Sequence, residues 1–363
     1  MLARFLALTA TLVAIGSLAA PAAARSPGGF FGVTPAIPPT NADLGTMGNA
    51  RVGVLRQPFA WSDIETSPGS YFLAEFDRIV AVAASNGVSV LPFIYGTPTW
   101  ARNCSGIPPF YCDRVTPLRS PQGRAGWPAF LRVLVDRYGP NGTLWTDTSD
   151  ALAPPYMPIR RWQIWNEANS ATYFRPKPRP RAYFELLKSA SRAIRSRDRG
   201  AQILLGGLFG TPPKPGMTMW RFLDLLYRFK GAKGLFSGVA VHPYSPNIKG
   251  IRYQLRRARE VMVENKDPKT KLFLTELGWG SGTGRSPLYK GLSGQAALLS
   301  ASFRFALKNR KRFRLASLAW FSWRDLPAGA GANCILCESF GLLNADSSTK
   351  PAYNAFTRFT GGS

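Results

Sequence analysis

The sequence predicts an α/β fold, a closed (β/α)8 barrel, on three observations. Eight strand-like runs recur along the 363 residues, each short, apolar and bounded by turn residues. Segments of helical period lie between most of them, and strict strand–helix alternation calls for a parallel sheet. An open doubly wound sheet would carry a glycine-rich phosphate turn after its first strand, and none is present here.

The runs, in order, are Phe31 to Thr34, Arg51 to Arg56, Val88 to Tyr95, Ile159 to Asn166, Ile203 to Gly207, Val239 to His242, Leu272 to Glu276 and Leu315 to Phe321. Helical spacing of apolar residues covers Phe76 to Ala84, Trp127 to Tyr138, Tyr183 to Ser196, Trp220 to Phe229, Tyr253 to Val263 and Gln295 to Lys308. The first connection, Pro35 to Ala50, reads as loop. The longest, Ala101 to Pro158, holds one helix, two cysteines and a Pro/Gly-rich tail. A chain 45% hydrophobic has enough apolar surface to bury the core that such a single TIM barrel needs.

Ahead of the barrel, Arg4 supplies a positive start, Phe5 to Ala20 an apolar run and Ala22-Ala23-Ala24 a small-residue cleavage site. We therefore expect residues 1–24 to be a signal peptide and 25–363 the folded domain, secreted and without a membrane span after signal removal. The apolar run is shorter than the roughly 20 residues that cross a bilayer. Export permits disulfides. Four cysteines allow three connectivities, of which the two local ones, Cys104 with Cys112 and Cys334 with Cys337, are expected. A zinc site is not, because only Cys334 and Cys337 have knuckle spacing.

Charge is heavily one-sided, 46 Lys and Arg against 20 Asp and Glu, a net of +26. Such a field attracts polyanions, an anionic glycan or a cell envelope among them. Nucleic acid is not the expected partner, since no recognition module or aromatic-interleaved basic stretch is visible. His242 is the only histidine. That leaves few parts for a histidine-bound metal or a His-dependent triad, and no cofactor or metal is expected.

Chemistry concentrates at two strand ends. RWQIWNEAN (Arg161 to Asn169) delivers Asn166 and Glu167, and KLFLTELGWG (Lys271 to Gly280) delivers Glu276. In a barrel, residues at the C-terminal ends of strands share one face, so two glutamates far apart in sequence meet in one cleft. These motifs resemble those of the clan A retaining glycoside hydrolases, the cellulase-like, xylanase-like and β-xylosidase-like barrels. The resemblance extends to Arg56, to GTPTWA (Gly96 to Ala101), to the Arg-Pro loop before Tyr183 and to HPY (His242 to Tyr244). The clan's usual Asn-Glu-Pro reads Asn-Glu-Ala, with Ala168 in the third place.

The resemblance implies a secreted enzyme that cleaves β-glycosidic bonds in a poly- or oligosaccharide by double displacement, with Glu167 as acid/base and Glu276 as nucleophile. It implies further that Arg56 and Tyr244 donate to Glu276 and that Asn166 holds the sugar 2-hydroxyl. His242 would add a subsite hydrogen bond. Trp100, Trp279 and Trp323 fall near strand ends, where flat rings could stack on sugars. A non-catalytic carbohydrate- or wall-binding barrel is the alternative, and the presence of both carboxylates speaks for the enzyme.

Overall fold

The computed structural model describes residues 28–146, 153–331 and 334–363; the expected signal, residues 1–24, lies outside them. Among these residues are nine parallel strands: β1 (Phe31–Thr34), β2 (Val54–Ala60), β3 (Ser89–Tyr95), β4 (Arg161–Ile164), β5 (Gln202–Leu205), β6 (Leu208–Phe209), β7 (Gly238–His242), β8 (Lys271–Leu277) and β9 (Leu315–Phe321). Their order is β5-β4-β3-β2-β1-β9-β8-β7-β6, and Leu204 of β5 also pairs with Gly238 of β7, which closes the sheet. The two-residue β6 continues β5 past Gly206 and Gly207, so the barrel has eight staves.

The helices are α1 (Asn41–Asn49), α2 (Trp61–Ile64), α3 (Ala74–Ser85), α4 (Pro121–Tyr138), α5 (Pro180–Arg195), α6 (Met219–Tyr227), α7 (Ile248–Glu264), α8 (Gly291–Phe313) and α9 (Pro351–Thr360). Their starts follow local rules. Pro121 follows the Ser120 cap of α4, and Pro180 opens α5, where a missing N–H costs nothing. No described helix is long and apolar enough to cross a membrane.

Two expectations are corrected. The first connection contains α1, whose start is fixed by a capping box in which Thr40 accepts from Asp43 N and Asp43 accepts from Thr40 N. Its apolar residues are sparse, which hides it from a periodicity reading. The second strand runs on to Ala60, because Pro58 is accommodated within β2, so Arg56 sits mid-strand and not at the strand end.

That shift decides where the arginine points. Alternate residues of a strand face the same side. Val54, Leu91, Leu204, Ala240 and Phe273 form an apolar cluster inside the barrel. Two residues further along, β2, β3, β7 and β8 place Arg56, Phe93, His242 and Thr275 in the next layer, all buried. The barrel is thus plugged by hydrocarbon below and by a layer above that sets Arg56, His242 and Thr275 beside the Phe93 ring, directly under the C-terminal rim. Outside, Trp61, Trp127 and Phe130 pack together and fix α4 against the β2 end. Burying each such ring stabilises the fold by about 1.5–3 kcal/mol.

Candidate active site

Glu167 is aimed by a bend in the chain. β4 stops at Ile164, and Trp165 and Glu167 then take φ of 71° and 42°, left-handed conformations that cost non-glycine residues about 1–3 kcal/mol each. The surroundings hold the bend. Trp165 N donates to Ile94 O at 2.7 Å, its ring Nε1 to Tyr173 O at 2.6 Å, and Ser170 N to Glu167 O at 2.7 Å. Asn169, from the same motif, donates to Phe209 O and Met217 O and accepts from Phe209 N, tying this loop to β6.

Glu276 is aimed by a bulge. Leu274 pairs with Leu318, but Leu277 pairs with Trp320, so β8 carries one extra residue opposite β9 at Thr275 and Glu276. Arg56 Nη1 donates to Glu276 Oε1 at 2.7 Å, and Tyr244 Oη donates to Oε2 at 3.0 Å. The guanidinium is fully buried and has a partner on each side. Nε donates to Gln163 Oε1 at 2.9 Å, Nη2 to Asn166 Oδ1 at 2.8 Å, and its plane lies 3.9 Å over the Phe93 ring. Removing a buried cation's anion is costly, so Arg56 and Glu276 hold each other in place.

His242 stands between the acids. Its Nδ1 lies 3.0 Å from Glu167 Oε1 and 3.5 Å from Glu276 Oε2, and its Nε2 lies 3.0 Å from Thr275 Oγ1. Room for the ring comes from Gly207, where any side-chain carbon would collide with His242 Nε2. One oxygen from each glutamate and a histidine nitrogen all lie within 4.8 Å of one another. Three such donors could hold a metal ion in principle. Here Arg56 already supplies a positive charge to Glu276, and a second cation beside it would be repelled.

The electrostatics separate the two carboxyls. Burial, then the negative charge of Glu276, push Glu167 well above the ordinary carboxylate range. Burial raises Glu276 as well, and the Arg56 charge and the hydrogen bonds from Tyr244 and Arg56 offset part of that rise, so it stays above the ordinary carboxylate range but is held lower than Glu167. Two acids this close cannot both be charged cheaply, and the single charge settles on Glu276, which has the donors. Burial and the nearby Arg56 lower His242 well below its usual value, so the imidazole is neutral.

Of the residues expected at the site, the structure brings Arg56, Asn166, Glu167, His242, Tyr244 and Glu276 into one cluster. It does not bring Trp279 and Trp323 there. Trp279 and Trp323 are fully buried, with Nε1 donating to Ser245 O at 2.8 Å and to Asp43 Oδ1 at 3.0 Å. Neither presents a ring face to a ligand, which corrects the expectation. Trp100 is half-buried, stacks edge-on against Trp61 and donates to Glu65 O. Its ring packs against Trp61 of α2 and Gly126 of α4.

Cys104 and Cys112, and Cys334 and Cys337, form two local bridges with Cα separations of 5.6 and 5.3 Å. The first braces the loop after β3 and the second the loop after β9. Sequence reading missed Gln163, Thr275 and Gly207, and also the half-buried aromatics Phe209 and Phe321, which lie 5.7 and 6.5 Å from the Tyr244 ring. Phe321 ends β9, and its position in the final predicted strand was the available signal.

No family model matches the chain, and no curated protein does. Solved structures do. Its structural neighbours are glycoside hydrolases. A family 39 glycoside hydrolase from Bacteroides cellulosilyticus WH2 is 21% identical with a TM-score of 0.65, covering 92% of this chain and 63% of that one. A monomeric β-xylosidase from Caulobacter crescentus CB15 is 19% identical at 0.63, covering 92% and 69%. A GH5_18 protein from Streptomyces cattleya, in complex with GlcNAc, is 17% identical at 0.63, covering 93% and 80%. The chain therefore spans only about two thirds of the length of the first two. At these identities the likeness is one of fold, the parallel eight-staved barrel.

Proposed function

We propose that the chain is a secreted retaining β-glycosidase acting on a poly- or oligosaccharide, with residues 1–24 as its export signal and 25–363 as its catalytic domain. The observation that carries this reading is the carboxylate pair at the C-terminal rim, with oxygens within 4.8 Å of one another. Retaining enzymes hold their two carboxyls about 5–5.5 Å apart, whereas inverting ones leave roughly 6.5–9.5 Å for a water. Support also comes from the fold neighbours, which include a β-xylosidase and a GlcNAc complex.

In the first step Glu276 attacks the anomeric carbon while the proton of Glu167 passes to the departing oxygen, leaving a glycosyl ester on Glu276. In the second, Glu167 takes a proton from water, the water oxygen displaces the ester, and Glu276 returns as a carboxylate. The geometry suits each role. Glu276 receives donors from Arg56 and Tyr244, which keep it ionised. Glu167 is the acid whose proton is hardest to lose. Asn166 has its Oδ1 occupied by Arg56, which leaves the amide NH2 to donate to the sugar 2-hydroxyl. His242 is fully buried and acts as a spacer between the acids, not as a subsite contact.

The test is hydrolysis of a panel of aryl β-glycosides and polysaccharides by the wild type and by Glu276→Ala. Wild-type cleavage of at least one member, lost in the variant, supports the reading. Hydrolysis that survives the substitution overturns it, and a wild type that binds a glycan without cleaving any would favour the non-catalytic barrel.

A further inference from the structure

A groove of about 1310 Å³ opens at the end of the barrel opposite Glu167 and Glu276. Its walls come from residues that precede strands, Gly28 and Gly29 before β1, Arg51 before β2 and Gly87 before β3, and from α8 and α9. The floor is apolar, with Phe30 and Phe31 buried and Leu307 and Phe359 half-buried. At Gly28, Gly29 and Gly87 an added side-chain carbon would meet nothing, so the lip is open.

Four exposed cations, Arg51, Arg304, Lys308 and Arg358, stand around this floor, and no aspartate or glutamate lines the groove. Among the described residues none of the four is ion-paired. Elsewhere the chain spends its few acids on pairing, as in Arg78 with Glu75, Arg228 with Asp224 and Arg257 with Glu260. A concave, acid-free ring of like charges over an apolar floor focuses its field outward into the groove. The ligand that complements it is an extended polyanion with apolar faces, since carboxylates neutralise the rim while sugar C–H faces cover the floor.

We propose that this groove is a second carbohydrate site, which binds a carboxylated polysaccharide and holds the protein on an acidic glycan matrix while the opposite end stays free. The choice of a glycan among polyanions rests on the glycosidase reading; the existence of the site does not.

The probe is fluorescently labelled polygalacturonate, titrated against the full chain at low and at moderate salt. In the variant Arg51→Gln/Arg304→Gln/Lys308→Gln/Arg358→Gln, affinity falls about tenfold or more at low salt, and the salt dependence flattens. The pair Arg304→Gln/Lys308→Gln alone, both exposed on α8, gives an intermediate loss and serves if the fuller variant does not fold. A control loses the same charge elsewhere, at the exposed Lys230, Lys233, Lys249 and Lys269, and keeps near wild-type affinity. Equal loss in control and groove variants would show a diffuse field and overturn the proposal, as would unchanged binding by the groove variants. Duplex DNA competing as well as polygalacturonate would overturn the glycan assignment. Glu276→Ala binds the probe like wild type if the groove is separate, so failure of the glycosidase reading is seen independently.

Discussion

Arg56 and Glu276 are joined at 2.7 Å across the top of the barrel, from strands 220 residues apart. The guanidinium is wholly buried, and its Nε and Nη2 are held by Gln163 and Asn166, which fixes its orientation. Arg56→Met removes both the charge and the three-sided fork. We expect a loss of about 3–5 kcal/mol of stability, as for breaking a buried pair. Because Arg56 lowers the pKa of Glu276, the acid limb of the kcat/KM profile should move to higher pH in the variant. A limb that stays put would separate Arg56 from the charge state of Glu276.

Glu167 carries a proton that burial and Glu276 make hard to remove. Its folded pKa lies above its unfolded one, so its contribution to stability is full at pH below the ordinary value of 4.5 and is lost as pH rises through the folded value. Glu167→Gln removes that loss. The variant should match wild type in melting temperature at low pH and exceed it increasingly as pH rises. It should also lose the alkaline limb of the rate profile on activated aryl glycosides. A melting advantage that shrinks with rising pH would contradict the assignment.

Gly207 makes room for His242, whose Nε2 occupies the place a side chain would need. Gly207→Ala should therefore destabilise the fold by about 1–3 kcal/mol and lower kcat more than it raises KM, since His242 touches both acids. Calorimetry beside steady-state kinetics checks this. A fully active variant of normal stability would remove His242 from the positioning of the pair.

The aromatic assignments divide cleanly. Trp323→Phe strips a buried hydrogen bond from Asp43, which should cost about 1–3 kcal/mol of stability and leave KM alone. Phe321→Ala, beside Tyr244 at the rim, should raise KM by about threefold to tenfold, the worth of one lost ring contact. The reverse pattern would restore Trp323 to the cleft.

Much of this was legible in the sequence because barrel strands announce themselves as apolar runs, and acids at their ends break the pattern. Glu167 and Glu276 are visible on those grounds. What stayed hidden depends on backbone detail. α1 is set by the Thr40 and Asp43 cap and not by an apolar stripe, and β2 extends through Pro58. The bulge at Glu276 and the left-handed bend at Glu167 leave no composition signature. The tryptophans misled because nearness to a strand end does not fix which way a large ring turns, and burial of Trp279 and Trp323 in the outer packing won.

In the proposed double displacement, two carboxyls act in sequence through a glycosyl ester on Glu276. It is tested most directly by proton NMR of the first sugar released from a cleaved aryl β-glycoside, read before mutarotation. Double displacement gives the β anomer as first product in the wild type. A first product in the α configuration would mean direct attack by water, and would contradict it.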